Sequence, residues 1–232
     1  MAEMALGYGS EYQLLRFLGH HRNELEQCIL KQTKINENSG YSMKWLDYPK
    51  DIKRKSLDSE YVGLGFLDKK IADKLSNNWQ KYWPKNGPNW DSIIYCSPVN
   101  PSSKLVDKWI VVEAKAHLKE LESSSKVEDE ESKILIEKAF EETKKHFNIK
   151  SQNNWLKKYY QLANILAFIN FMLNNGIQCS LLNIYFINGW NKNTSKNVTS
   201  IEMWKEKILD EYLYLGINHE AKKYISEIFV NC

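Results

Sequence analysis

The feature that most constrains this chain is the run Trp109-Ile110-Val111-Val112-Glu113-Ala114-Lys115, in which an apolar, β-branched segment stops on a carboxylate and an ammonium. Such residues suit a pleated, buried surface, so the run is expected to be a core strand. Successive side chains on a strand point to opposite faces, and Glu113 and Lys115, two apart, therefore emerge together on one of them. Burying either charge alone is costly. The pair is expected to be either a compensated ion pair near the surface or part of a reaction centre.

A second short run, Asp91-Ser92-Ile93-Ile94-Tyr95-Cys96, follows the breaker-rich segment between Pro84 and Asn89, and the polar loop from Ser97 to Ser103 separates the two runs. Two strands joined in this way are expected to form a β-hairpin that brings Asp91 beside Glu113. Two carboxylates converging with a lysine offer hard oxygen ligands and a cationic group, which suits Mg²⁺ and a phosphate better than zinc or copper. The string E-x-K alone says little, since it recurs at Glu131, Glu142 and Glu220. Only at Glu113 does it close an apolar strand with a strand-borne Asp before it.

With 232 residues the chain is long enough for one α/β domain with a sizeable core, and a single domain over 1–232 is expected. A composition that is 43% hydrophobic and 26% charged excludes disorder for most of the chain. The net charge is only +3, so affinity for nucleic acid must come from local patches and not from overall charge. Cys28, Cys96, Cys179 and Cys232 show neither C-x-x-C nor Cys/His metal spacing, which points to reduced thiols and a cytoplasmic location. Met1 to Leu6 lacks the basic-then-apolar pattern of a secretory signal. The longest apolar stretch, around Leu162 to Leu173, is interrupted by Asn164 and Asn170 and is too short to span a bilayer, so no membrane partner is expected. The glycosylation-like triplets at Asn193 and Asn197 carry no meaning without a signal.

In chain order, Ser10 and Gln13 fit a capping box that opens a helix running to about Lys31, with Leu14, Leu18, Leu25 and Cys28 as its apolar stripe. Helical spacing puts Glu11 on that stripe; the helix dipole alone accounts for an acid in the first turn, and a place near a metal is the alternative. His20 and His21 read as a surface and a packed histidine. A polar turn over Asn36 to Gly40 precedes Met43 to Tyr48, which reads as a first strand. Phe66 to about Tyr82 reads as a helix with Leu67, Ile71, Leu75 and Trp79 on one face. Beyond the hairpin, His117 continues the alternation of Glu113 and Lys115 and is placed to reach a substrate oxygen, although an exposed loop histidine is the commoner case. Ile134 to Phe147 and Trp155 to Asn174 read as helices, the second with a polar row of Lys157, Gln161 and Asn164 opposite its core face. Cys179 to Ile187 reads as a largely buried strand. The tail, about 200–232, is expected to add two helices, packed through Trp204, Ile208 and Tyr212 and then through Tyr224 and Ile228.

Taken together, helix, strand, a hairpin bearing Asp and then Glu-x-Lys, helix and strand resemble the αβββαβ core of the PD-(D/E)xK nuclease superfamily, the restriction-endonuclease-like fold. Asp91, Glu113 and Lys115 carry the resemblance, which spans about 10–187; Trp90 stands directly before Asp91, with Pro88 three positions before it. The resemblance implies an α/β fold with a mixed central sheet flanked by helices, to which this chain is expected to add helices before the hairpin and a C-terminal helical extension. It implies a Mg²⁺-dependent nuclease, with Mn²⁺ able to substitute, that hydrolyses phosphodiester bonds, here taken as those of DNA. Asp91, Glu113 and the Ala114 carbonyl would hold the metal, and Lys115 would orient or deprotonate the attacking water. Glu11 matches the first-helix acid found in parts of that superfamily, and Gln161 with Tyr160 resembles the glutamine on the following helix in its exonuclease-like branches. The rival reading is a non-catalytic nucleic-acid- or protein-binding module on the same scaffold. DNA against RNA, endonuclease against exonuclease, and a homo-oligomer all stay open.

Overall fold

In the computed structural model, which describes residues 9–33, 40–46, 60–85, 87–189 and 199–232, the first apolar stripe folds as two helices. These are α1 (Gly9–His20) and α2 (Arg22–Gln32), parted at His21, so the single helix expected to Lys31 is broken. Ser10 lies inside α1 and is not its cap. After β1 (Tyr41–Trp45) and the short β2 (Tyr61–Val62) comes α3 (Lys69–Tyr82), whose start is fixed by Asp68: its side chain accepts the Lys70 amide proton. The short β3 (Asn89–Trp90) then leads into β4 (Ser92–Pro98) and β5 (Lys108–Lys115), the expected hairpin. Most of the turn expected at 36–40, the end of the first expected strand at 47–48 and the triplets at 193 and 197 lie outside the described residues.

Next come α4 (Glu130–His146), α5 (Tyr160–Asn174) and β6 (Gln178–Ile187). Every residue of β6 after Gln178 is buried, the burial typical of a strand with parallel neighbours. The tail departs from expectation. Its first part is helical, α6 (Ile201–Leu215), with Ser200 accepting the Met203 amide proton as a cap. Only one turn follows, α7 (His219–Lys222), and the chain then extends into β7 (Ile225–Asn231). The second tail helix is therefore replaced by a strand, and Tyr224 and Ile228 do not share a helical face.

The sheet order is β1-β4-β5-β6-β7, with β1, β4 and β5 antiparallel in sequence of pairing and β6 and β7 running parallel to β5. The fold is thus mixed α/β, with helices on both faces of the sheet. One face carries Ile94, Ile110, Val112, Ala114, Leu182, Ile184 and Phe186 against Leu14, Phe17 and Leu18 of α1 and Leu25 and Ile29 of α2. The other carries Ile93, Val111, Leu181 and Tyr185 against the helices that follow, centred on α5 with Leu166, Phe168 and Ile169. Leu182, Ile184 and Phe186 are wholly buried, and each such side chain is worth about 1.5–3 kcal/mol of transfer free energy. Among the described residues no helix is long and apolar enough to cross a membrane.

Candidate active site at the tip of β5

The register carries the geometry. Ser92 pairs with Val112 and Ile93 with Val111, so one step further out Asp91 stands opposite Glu113, on the same face. Here the chain leaves the main sheet, because Trp90 pairs with Tyr61 in the two-stranded sheet and its indole N–H donates to the Gly63 carbonyl at 2.8 Å. The Asp91 carboxylate fills the gap left in the ladder: its Oδ2 accepts the Ala114 amide proton at 2.7 Å. A strand residue presents its carbonyl to the same side as its amide, so the Ala114 carbonyl faces the Asp91 edge as well.

Glu113 and Lys115 emerge side by side, 4% and 6% exposed, and form an ion pair. Gln161, in the first turn of α5, completes it: its amide Nε2 donates to Glu113 Oε1 at 2.6 Å and its Oε1 accepts from Lys115 Nζ at 2.8 Å. The position of Gln161 is itself fixed, since its backbone N–H donates to the Ser123 hydroxyl at 2.8 Å and Tyr159, just ahead of α5, adopts a left-handed φ of 56°. The loop after β5 thereby anchors the helix behind the site.

Electrostatics follow from burial. The Asp91 carboxyl is desolvated even though the residue as a whole is only half-buried, and desolvation followed by repulsion from Glu113 pushes its pKa well above the ordinary range. Burial also raises the Glu113 carboxyl, against the pull of Lys115. Burial draws Lys115 down, but Glu113 and Asp91 outweigh it and hold the ammonium above its usual value. Glu60, an exposed residue just ahead of β2, adds to the negative field at both acids.

Of the remaining candidates, Glu11 is exposed on α1, which packs on the opposite face of the sheet, so it is neither on the buried stripe nor part of this cluster. Tyr160 points elsewhere, with its ring 6.0 Å from Phe140 and its hydroxyl near Ser125. His117 is taken by Glu120, at 3.1 Å from its Nε2. Within the polar row only Gln161 reaches the site: Lys157 is exposed, and Asn164 Oδ1 is buried with no hydrogen-bond partner among the described residues.

Two residues escaped the sequence reading. Asn183 pairs with Glu113 across β5 and β6, and Glu211 on α6 lines the same small cavity as Glu113, Lys115 and Gln161. Both left a signal. Asn183 interrupts the apolar run of β6, and Glu211 falls on the line Trp204, Ile208, Leu215, whose steps of four and three mark one helix face.

Comparison with known proteins gives no relative to lean on. No family model, no curated protein and no solved structure matches the chain. Among the described residues, no group of three His, Cys, Asp or Glu side chains is arranged to hold a metal ion. What the cluster offers is two carboxylates, a backbone carbonyl, a buried ammonium and an amide that ties the ammonium to one of the acids.

Proposed function

We propose that this chain is a metal-dependent nuclease of the restriction-endonuclease-like kind, hydrolysing phosphodiester bonds in DNA. The observation that carries the reading is the convergence of Asp91, Glu113 and Lys115 at the tip of β5, where the Asp91 carboxylate sits on the Ala114 amide and Glu113 holds Lys115. The strand pairing and order support the αβββαβ core, with β7 as an added edge strand. A cytoplasmic location fits the four free cysteines.

The residues present fit a hard dication. Mg²⁺ is usually bound by one or two carboxylates and completed by water and substrate phosphate, which is the donor set of Asp91, Glu113 and the Ala114 carbonyl. Two desolvated carboxyls that repel each other are also the arrangement a dication relieves. When bound, Mg²⁺ or Mn²⁺ would polarise the scissile phosphate and acidify a water. The chain supplies the rest. Asp91 and Glu113 fix where the phosphate docks, Lys115 places positive charge against the developing negative charge on phosphorus oxygens, and Gln161 keeps the Lys115 ammonium from swinging away.

One observation favours the second reading, a non-catalytic binding module: Glu113, Lys115 and Gln161 are already bonded to one another in a ring. Cleavage separates the two. With Mg²⁺ or Mn²⁺ the wild type is expected to cut DNA, at a rate that falls with added salt as phosphate contacts are screened. Lys115→Met is expected to lower that rate by about 10²- to 10⁴-fold, the usual worth of a positioned acid or base. Binding of nucleic acid without any cutting would favour the module, and cutting at the full rate by the variant would remove Lys115 from the chemistry.

A further inference from the structure

Lys115 has three N–H donors, of which Glu113 Oε1 and Gln161 Oε1 take two. Among the described residues the third has no protein partner. Lys115 also lines a small pocket whose polar lining is Glu113, Gln161, Asn183 and Glu211, with leucine and isoleucine side chains making up the rest. Its volume, about 10 Å³ of room for the centre of a water-sized sphere, suits a single water, and such a water needs two to four polar partners.

Glu211 lines the same pocket. It is only 2% exposed, and among the described residues its carboxyl has no hydrogen bond or ion pair to protein. Its neighbour Glu227 does not share this fate, because Lys222 reaches Glu227 Oε1 at 2.5 Å and the Tyr212 hydroxyl donates to the same oxygen. Glu113, Asn183 and Glu227 lie side by side across β5, β6 and β7, and Glu211 lines one pocket with Glu113, Asn183 and Lys115.

We propose that Glu211 is a positioning residue for Lys115: through one water held in this cavity it takes the third Lys115 N–H and fixes the ammonium at the tip of β5. The electrostatics agree, since burial raises the Glu211 carboxyl and Lys115 is the strongest influence acting the other way. The consequence for cleavage rests on the nuclease reading; the water-bridged geometry does not.

The test uses the full chain and Glu211→Gln, which keeps a polar group on the cavity wall, against Glu211→Met and Glu211→Ala, which do not. The first readout is the ¹H–¹⁵N signal of the Lys115 ammonium, assigned by its loss in Lys115→Arg. It is expected to exchange slowly with solvent in the wild type and Glu211→Gln, and to broaden away in whichever apolar variants fold. A signal that survives the apolar substitutions, or is missing from the wild type, overturns the proposal. The second readout is kinetic: the apolar variants are expected to lower kcat about 10-fold with KM unchanged, as loss of an outer partner does, while Glu211→Gln stays near wild type. Equal losses in the polar and apolar variants would contradict it. A wild type that cuts nothing while the ammonium signal follows this pattern removes the nuclease reading and leaves the Glu211 assignment standing.

Discussion

The two faces of β5 are made from one strand and differ in what they are asked to bury. On the face toward α1 and α2, positions 110, 112, 114 and 116 are Ile, Val, Ala and Ala, closed by Leu182, Ile184 and Phe186 from β6. On the face toward α5, Trp109 and Val111 give way to Glu113 and Lys115, and the row continues sideways as Asn183 and Glu227. The first face gains by excluding water from hydrocarbon. The second holds charge that has to be compensated contact by contact, and Gln161, Asp91 and Glu211 are gathered around it from three other parts of the chain. Evolution toward stability alone gives no reason for the second face, since a buried ion pair often stabilises less than well-packed apolar side chains of similar size.

That difference can be broken in order of expected effect. The largest is in catalysis. In Glu113→Leu/Lys115→Met both charges leave together, so the double variant is expected to unfold within about 1 kcal/mol of the wild type, or to be more stable, while cleavage disappears. Chemical denaturation beside a cleavage assay checks both halves. A double variant that loses several kcal/mol would mean that the pair is structural. On the apolar face the opposite outcome is expected: Phe186→Ala should cost about 3–5 kcal/mol by denaturation, with cleavage by the folded fraction unchanged.

A smaller effect concerns Glu211, which burial, with repulsion from Glu227 and Glu113, pushes up to about 8 from an ordinary 4.5. As pH rises through this window the unfolded chain releases the proton first. Glu211 therefore subtracts stability progressively between about pH 4.5 and about pH 8, by at most about 1.4 kcal/mol per unit, and has no such effect below both values. Glu211→Gln removes the slope, so its stability relative to wild type is expected to grow with pH across that range. Parallel denaturation curves from pH 4 to pH 9 would contradict the assignment of a raised carboxyl.

The two faces were also unequally legible. The hairpin and its charged tip could be read because an apolar, β-branched run ending on Glu113 and Lys115 has one period and one abrupt change of chemistry. Gln161 was readable as a helix residue on a polar row, but its role depended on the left-handed turn at Tyr159 and on Ser123, neither of which has a local signal. The tail misled because Tyr224 and Ile228 stand four apart, while Ile228 and Val230 alternate with Glu227 and Phe229 just as well. A run that short satisfies both periods, and the free edge of β6, a tertiary fact, decides for the strand. Glu11 failed for a related reason: the stripe that buries Leu14 and Leu18 turns through Gln13 and Phe17, which leaves Glu11 on the solvent side. The break at His21, between Gly19 and Arg22, carried no proline to announce it.

The central claim is that Asp91 and Glu113 together make a place for a dication, and calorimetric titration with Mn²⁺ tests it most directly. Asp91→Asn is the informative variant, because its side-chain oxygen can still accept the Ala114 amide proton and so spare the strand junction. The account predicts saturable binding by the wild type, an unchanged isotherm for Glu11→Gln, and loss of binding in Asp91→Asn. Identical isotherms for the wild type and Asp91→Asn would contradict it.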